Sequence, residues 1–369
     1  MKKGKKMGQV DFMLFATILL LLSVGVVMVY SASSYVALYG EAKDSMFFLK
    51  RQLLWAFLSL TGMIVIMTID YHKFKKITGW LMIISIPLLL AVFLFEDANG
   101  AYRWIRLGPF SFQPSELVKY VVILYLAKSI DNKGERIKSF TYGMLPHLLV
   151  AGFYAGLILK EKNLSIAAVI MIVTLIILFV GGVKASQLFG LVTPLVALAG
   201  VFFAFSADYR RDRVLNFLNP FKDPAGKGYQ LIQSWYALGS GGLIGLGLGN
   251  SRQKTHYMPE PHNDFIFSII GEELGLIGAL FVIVLFVLFV WRGISIAYKA
   301  KDTYGTLLAA GITSIIAVQA IINIAVVTGS MPVTGVPLPF ISYGGSSLLL
   351  NMMAMGILLN ISRQIETNN

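Results

Sequence analysis

The sequence contains no cysteine and few charged residues. The absence of cysteine from all 369 positions excludes disulfide bonds, thiolate catalysis and cysteine-based metal sites. Only 14% of the residues are charged while 56% are hydrophobic, and a soluble fold cannot cover so much apolar surface with so few charges. No hydrophilic block is long enough to form a separate soluble domain. We therefore predict a single polytopic membrane domain over residues 1–369.

Histidine is also scarce, and its spacing excludes a common zinc motif. The four histidines lack the i, i+4 spacing that places two zinc ligands on one face of a helix. They are His72, His147, His256 and His262. The glycines between Gly239 and Gly249 could form an anion-binding nest. They lack the Lys-Ser/Thr ending of a phosphate-binding P-loop, so the sequence predicts neither a P-loop nor a histidine-based zinc site.

The sequence has many long apolar segments. They approach the ~20 residues that an α-helix needs to span a bilayer, and the first is longer than the apolar region of a signal peptide. We predict an all-α integral membrane protein with ten transmembrane helices. The predicted helices are Phe12–Tyr30, Leu53–Ile69, Ile77–Phe95, Glu116–Ile130, Tyr142–Leu159, Leu164–Gly181, Ser186–Ser206, Phe265–Trp291, Thr306–Thr328 and Ser342–Ile361.

The positive charges predict the orientation of these helices. An even number of spans puts both termini on one side, and the segments on that side, including the N-terminal lysines, carry more Lys and Arg than the short loops opposite. We therefore predict cytoplasmic termini and assign the net charge of +12 to topology rather than to nucleic acid binding. The large segment of about 207–263, between helices 7 and 8, is then an extracytoplasmic loop. Its glycine-rich second half, 229–248, is interpreted as a flexible or re-entrant loop.

Asp264 lies where this polar loop changes abruptly into an apolar helix. Such an Asp can be an N-cap, which accepts hydrogen bonds from the first free backbone N–H groups of the helix. It can also be a general base at the membrane surface, since Glu272 and Glu273 follow inside the helix and His262 precedes it. Ionisable side chains inside a membrane are costly and often functional. Both interpretations of Asp264 remain open from the residues alone.

Glu116 and Lys119 stand one turn apart at the start of the fourth predicted helix, where they can pair on one face. A structural salt bridge is one interpretation of this pair. The other is a functional cluster on the side of Asp264, because Arg103 and Arg106 precede the pair in an amphipathic loop. Trp104 in that loop is typical of a membrane interface.

Three stretches resemble the SEDS family, the shape, elongation, division and sporulation proteins that polymerise peptidoglycan. They are GAYRWIRLGPFSFQPSELVK (residues 100–119), GNSRQKTHYMPEPHNDFIFSIIGEELGLIG (249–278) and GSMPVTGVPLPFISYGGSS (329–347). The residues of these motifs are more similar to those of the FtsW and SpoVE branch than to those of the RodA branch. One stretch departs from the family pattern, since Glu161, Lys162 and Asn163 replace its usual E/Q-P-D/N run. This departure puts the role of that turn in doubt.

The resemblance implies a reaction and a set of residues. The family joins lipid II units at the outer membrane surface by inverting glycosyl transfer, and Asp264 matches its essential aspartate, which would act as the base. Glu116 and Lys119 match its polar pair, while Arg51, Arg103 and Arg106 are predicted phosphate contacts. The resemblance also implies Mg or Mn as a possible cation bridging the substrate pyrophosphate, no organic cofactor, and a class B penicillin-binding protein with division or sporulation proteins as partners. A lipid II flippase using Glu272 and Glu273 and a recruitment scaffold remain alternatives.

Three further features predict local structure. Prolines and glycines in 333–347 predict a broken or re-entrant entry to the last helix. Gln319 and Asn323, one turn apart on the ninth predicted helix, are expected to form hydrogen bonds between helices. Gly271 and Gly275 form a G-x-x-x-G step that predicts close helix packing.

Overall fold

The structure, a computed structural model, describes residues 8–95, 102–108, 110–255 and 257–365. The N-terminal lysines and His256, which entered the predictions above, lie outside these residues. In chain order the α-helices and strands are α1 (Phe12–Tyr39), α2 (Phe47–Thr68), α3 (His72–Ala91), β1 (Ile105–Leu107), β2 (Phe110–Phe112), α4 (Pro114–Lys133), α5 (Leu145–Lys160), α6 (Leu164–Val180), α7 (Ala185–Gln187), α8 (Thr193–Phe205), α9 (Asp208–Leu218), α10 (Tyr229–Gly241), α11 (Ile266–Lys299), α12 (Thr303–Val327) and α13 (Gly345–Ser362). Short 3₁₀ or π turns at Val92–Leu94, Gly134–Lys138, Phe140–Met144, Leu188–Val192 and Pro220–Lys222 extend or join these helices.

The all-helical class predicted from composition is confirmed. Each of the ten predicted segments overlaps a helix, and among the described residues eight helices are long and apolar enough to cross a membrane. Two of the ten predicted segments correspond to helices outside that group: α6 has only 17 residues, and α4 carries several charged side chains. The count of ten spanning helices stays a prediction.

Polar side chains define where several helices begin. The carboxylate of Asp11 accepts a hydrogen bond from Leu14 N at 2.9 Å and caps α1, and Asp302 caps α12 in the same way through Gly305 N at 2.8 Å. Pro114 lies at the first position of α4, where a missing N–H has no cost. These capping residues and the N-terminal proline define the first residues of α1, α12 and α4, in agreement with the apolar pattern.

Two ion pairs and a hydrogen bond between side chains lie at one end of the helical bundle. Arg292 pairs with Asp11, Lys75 pairs with Asp131, and the hydroxyl of Tyr71 donates to Asp302. The N-termini of α2, α4, α6, α11 and α13 and the C-termini of α5 and α12 lie at the opposite end. That second end holds Asp264 and the motifs that the sequence singled out.

The interpretation of 229–248 as a flexible or re-entrant loop is wrong for its first part. Residues Tyr229–Gly241 form α10, which packs across the end of α12: Ser234 Oγ donates to the carbonyl of Val327 at 2.8 Å, and Trp235 lies against Gly329. Gly241 has no side chain to separate it from Gly271, so α10 and α11 approach closely there. This helix is stabilised by contacts distant in sequence, which the glycine content of the segment did not predict.

The chain after α10 runs beside a break in α11. Gly275 has φ +66° and ψ −167°, outside the helical range, so it interrupts α11 instead of acting only as a small packing residue. The freed backbone groups pair with the neighbouring chain: Leu246 N donates to Glu272 O at 3.0 Å, and Leu276 N donates to Gly242 O at 2.9 Å. Irregular backbone among apolar helices requires such internal partners.

Glu272 and Glu273 hold the segment 251–254. Glu273 accepts hydrogen bonds from Ser31 Oγ at 2.6 and 2.8 Å and forms a buried ion pair with Lys254 at 2.8 Å. Glu272 accepts from the hydroxyl of Ser251 and from Arg252 N at 3.0 Å. Both carboxylates are therefore committed to these contacts, so the pair gives no support to a transport route along α11.

The ion pair of Lys254 and Glu273 gives a stability prediction. Replacing Lys254 by Met leaves the Glu273 carboxylate buried without its cation, which typically costs ~3–5 kcal/mol. We expect Lys254→Met to lower the midpoint of thermal unfolding clearly in detergent. The double variant Lys254→Met/Glu273→Gln should recover part of the loss.

The matched control is Lys50→Met, which breaks an exposed ion pair with Asp44 of the same 2.8 Å length. Exposed pairs contribute little, so this variant should unfold almost as the wild type does. An equal loss of stability in both single variants would contradict the role given to Lys254.

Candidate functional site

Asp264 lies immediately before α11 but does not cap it. The helix starts after Phe265, and no side chain forms an N-cap hydrogen bond there. The capping interpretation is therefore wrong. The Asp264 backbone is held instead by Asn323 of α12, whose Nδ2 donates to the carbonyls of Asp264 at 2.7 Å and of Val336 at 2.8 Å. The expected hydrogen bonding of Asn323 thus joins α12 to two irregular segments.

The half-buried carboxylate of Asp264 faces the irregular segment 328–344. Gly335 has φ +74°, and a Cβ added there would lie 3.3 Å from Asp264 Oδ2. Next to it, Ser342 Oγ donates to the carbonyl of Asn263 at 2.8 Å, and Tyr343 N donates to the carbonyl of His262 at 2.9 Å. The predicted broken entry to the last helix is confirmed, and it forms one wall around Asp264.

The pKa of Asp264 is raised from 3.8 to about 6, first by burial and then by the negative charge of Glu260. The positive charges of Arg103 and Arg213 oppose this rise. Among the described residues, no side chain forms a hydrogen bond or ion pair with the carboxylate. A carboxylate with these properties suits a general base, since an effective base has a pKa near the operating pH and an accessible oxygen.

Arg103 links three parts of the site. Its guanidinium donates a hydrogen bond to the carbonyl of Lys162, and its charge also acts on the buried Glu161 and on Asp264. Lys162 adopts φ +57° at the end of α5, a conformation closed to the proline that the family usually has there. The atypical turn therefore contacts a predicted site residue, in a backbone geometry that proline cannot adopt at position 162.

The same turn contacts the wall around Asp264. Ser165 Oγ, in the first turn of α6, donates to the carbonyl of Thr334 at 2.7 Å. Thr334 precedes Gly335, the residue beside the Asp264 carboxylate. The turn between α5 and α6 is thus in contact with Arg103 on one side and with the segment 328–344 on the other.

Glu116 and Lys119 form the ion pair that their spacing predicted. Lys119 Nζ lies 2.8 Å from Glu116 Oε2, and the two side chains are 0% and 2% exposed. Glu116 also lines a small cavity of about 10 Å³, large enough for about one water molecule, together with Gln319, Ser342 and Asn351. The buried Gln319 Oε1 has no hydrogen-bond partner in the described part of the chain.

The pair is connected to Asp264 only indirectly. Ser342 lines the cavity at Glu116 and also binds the carbonyl of Asn263, while Gln319 and Asn323 lie one turn apart on α12. No described contact joins Asp264 directly to Glu116 or Lys119. The predicted grouping of these three residues in one reaction site therefore stays a prediction.

Arg51 and Arg106 are exposed cations at this end of the bundle. The Arg51 guanidinium lies 4.2 Å from the ring centre of Phe47, and the next residue, Phe48, packs against the His262 ring at 4.3 Å. Arg106 lies on β1, which pairs with β2 in a hairpin. The structure thus replaces the predicted amphipathic loop with a short hairpin, and neither arginine contacts Asp264 among the described residues.

Sequence reasoning missed Arg213 and treated Glu161 only as a departure from a motif. Arg213 lies on α9 in the segment predicted as an outer loop, and nothing in its spacing relates it to Asp264. Its proximity to Asp264 arises from tertiary packing. In the described ranges, no three His, Asp or Glu side chains come together as a metal cage, so we derive no step through a metal.

The sequence as a whole matches a known family profile. Residues 11–367 match the profile of FtsW, RodA and SpoVE, described as "Cell cycle protein". The chain is 43% identical over 360 residues to the probable peptidoglycan glycosyltransferase FtsW of Geobacter sp. (strain M18), covering 96% of this chain and 97% of the relative. It is 46% identical over 357 residues to the stage V sporulation protein E of Bacillus subtilis (strain 168), with 96% and 97% covered.

Solved structures share the fold. A chain from a peptidoglycan synthase complex, studied for the coordination of polymerization and crosslinking, has a TM-score of 0.77 and 27% identity, with 97% of this chain and 99% of that chain covered. The rod shape determining protein RodA of Thermus thermophilus has a TM-score of 0.71 and 26% identity, with 97% and 98% covered.

The buried Glu161 gives a prediction on stability against pH. Burial raises its pKa from 4.5 to about 8, although Arg103 opposes the shift. Between these values the folded state holds a proton that the unfolded state has released, so Glu161 lowers stability progressively as the pH rises from 4.5 to 8. We expect Glu161→Gln to gain thermal stability relative to the wild type as the pH rises from 5 to 8.

The measurement is the difference in unfolding midpoint between variant and wild type, because other titrating groups cancel in that difference. Glu135→Gln, at an exposed side chain, is the matched control and should show no such trend. A difference for Glu161→Gln that is constant across this pH range would contradict the prediction.

Proposed function

The chain belongs to the FtsW, RodA and SpoVE family of cell cycle proteins, and we propose that it is a peptidoglycan glycosyltransferase that extends glycan strands from lipid II. Its role lies in division or sporulation, the processes of the relatives that it resembles. The observation that carries the proposal is Asp264, a half-buried carboxylate with a pKa of about 6, held by its backbone between α11 and the segment 328–344. Its side chain remains available to a substrate.

In the proposed reaction Asp264 is the general base. Its carboxylate takes the proton from the 4-hydroxyl of an acceptor N-acetylglucosamine as that oxygen attacks C1 of the donor N-acetylmuramic acid. The bond from C1 to the phosphate oxygen breaks, and the lipid diphosphate leaves with the electron pair. This single displacement inverts C1. A diphosphate is a good leaving group, so the second carboxylic acid found in glycoside hydrolases is not required.

Cations stabilise the charge that develops on the diphosphate. Arg103 is the preferred candidate for this role, because its guanidinium is held by the carbonyl of Lys162 and its charge acts on Asp264. Arg51 and Arg106 are further cations at the same end of the bundle. Lys119 is paired with Glu116, and this buried pair would form the polar floor of the cavity instead of a mobile phosphate contact. A divalent cation, Mg or Mn, is an additional proposal that no described ligand cage supports.

The chain is a multi-pass membrane protein of the cytoplasmic membrane, and the proposal places its site at the outer face. The excess of Lys and Arg in the segments assigned to the cytoplasm supports this orientation. We also propose a class B penicillin-binding protein as the partner that cross-links the product, together with division or sporulation membrane proteins. The likeness to a chain from a synthase complex that couples polymerization with crosslinking supports that partner.

The test of the proposed function is polymerisation of lipid II by the purified protein, with and without its transpeptidase partner. Wild type should form polymer, and Asp264→Asn or Asp264→Ala should lose ~10²–10⁴-fold in rate, the usual contribution of a general base. Thermal unfolding should show that both variants remain folded. Asp208→Asn, at an exposed carboxylate on α9, is the control and should keep its activity. Undiminished polymer from Asp264→Ala rejects the assignment.

The pH dependence of polymerisation gives a second test. The base must be ionised, so kcat/KM should fall as the pH drops through about 6, the pKa of Asp264. Glu260 raises this pKa by its negative charge, so in Glu260→Gln the acidic limb of the kcat/KM profile against pH should move to lower pH. Glu135→Gln, a distant exposed replacement, should leave the limb in place. A limb that does not move in Glu260→Gln would show that another group limits the rate.

A further inference from the structure

A second cavity lies between α9 and the start of α10. It has a volume of about 390 Å³ and is lined by both polar and apolar side chains. The residues that line it include Asp212, Arg213 and Asn216 of α9, Lys227, Gln230 of α10, and Val333. The volume is in the range of small-molecule sites, and the polar groups converge from two different helices.

Arg213 is the cation in this cavity that forms no ion pair among the described residues. Lys227 is neutralised by Asp212 at 2.5 Å, and Arg211, on the same helix outside the cavity, pairs with Asp208 at 3.2 Å. Within the described ranges, Arg213 forms neither an ion pair nor a hydrogen bond, although its guanidinium offers five donors. A guanidinium in a concave site whose donors are not used by an ion pair or a hydrogen bond is suited to bind an anionic ligand.

The cavity is adjacent to Asp264. The charge of Arg213 acts on the Asp264 carboxylate, as that of Arg103 does from the other segment. Val333, which lines the cavity, is two residues from Gly335 beside Asp264 Oδ2. A ligand bound to Arg213 would therefore lie within electrostatic reach of the proposed base.

The position of this cavity along the bundle corresponds to the level of the polar headgroups of a membrane. The apolar segment Ala185–Phe205 ends just before α9 begins at Asp208. Leu215, Leu218 and Phe221 are exposed, which is typical of a segment lying on a lipid surface. The phosphates of a lipid-linked substrate occupy this level, since its lipid chain remains in the bilayer.

We propose that the cavity around Arg213 binds the diphosphate of the lipid-linked substrate. The inference rests on the proposed function and adds a binding residue that the family motifs quoted above do not include. Arginine can hold two phosphate oxygens at once in its planar fork. In an inverting displacement the diphosphate leaves from the face of C1 opposite the attacking hydroxyl, so its site must be near the base yet distinct from it. Arg213 satisfies both conditions.

Direct binding tests this site independently of turnover. In the Asp264→Asn background, we would measure the affinity of undecaprenyl diphosphate, with undecaprenol, the same lipid without phosphate, as the reference ligand. Arg213→Gln should weaken binding of the diphosphate about tenfold or more and leave the alcohol unchanged, and Arg213→Lys should fall between it and the parent. Arg211→Gln, two residues away on the same helix, should bind both lipids as the parent does.

The outcomes separate this inference from the proposed function. Equal binding of the diphosphate by Arg213→Gln and the parent overturns the site, as does equal weakening in Arg211→Gln, provided that thermal unfolding shows intact folding. Loss of alcohol binding to the same degree also overturns it, because the effect would then not be on phosphate. If the diphosphate affinity falls as expected while wild type makes no polymer, the site stands and the polymerase assignment fails.

Discussion

The need to satisfy polar backbone groups among apolar helices governs this structure. Two long irregular segments, one made of residues 242–255 and 257–265 and the other of 328–344, lie at one end of the bundle, where unpaired N–H and C=O groups would be costly. The first is held by pairing with the broken part of α11 and by the glutamates of that helix. The second is held by Asn323, whose side chain donates to a carbonyl of each segment, and by its own Ser342, whose hydroxyl donates to the carbonyl of Asn263 in the first segment. Asp264 lies where the two segments meet, so its position follows from this network.

The electrostatics of Asp264 depend on segments far apart in the sequence. Burial and Glu260 raise its pKa, while Arg103 and Arg213 lower it from opposite parts of the chain, which leaves the value at about 6. The two arginines differ in their own contacts. Arg103 is tied to the turn after α5, whereas Arg213 lines an open cavity without an ionic partner among the described residues. Both arginines act on the Asp264 carboxylate, and both are proposed to stabilise the departing diphosphate, Arg103 from an anchored position and Arg213 from the cavity.

Apolar length and local spacing predicted much of the fold from the sequence. Each predicted segment overlaps a helix, and the pair of Glu116 and Lys119 forms because i, i+3 spacing places both on one face. The resemblance to the SEDS family, drawn from three motifs, is confirmed by the family match. Other features depend on tertiary contacts that no local pattern contains. The helix α10 is stabilised by α12 despite its glycines, and the proximity of Arg213 and Glu161 to the site arises only when the helices pack.

The turn between α5 and α6 makes two wall segments of the site mechanically dependent on each other. The carbonyl of Lys162 accepts a hydrogen bond from Arg103, and the hydroxyl of Ser165 donates one to the carbonyl of Thr334, with only two residues between Lys162 and Ser165. A small tilt of the α5–α6 hairpin would therefore carry both walls in the same direction relative to the fixed start of α11. The α5–α6 hairpin thus couples the position of the Arg103 guanidinium to that of the segment beside Asp264.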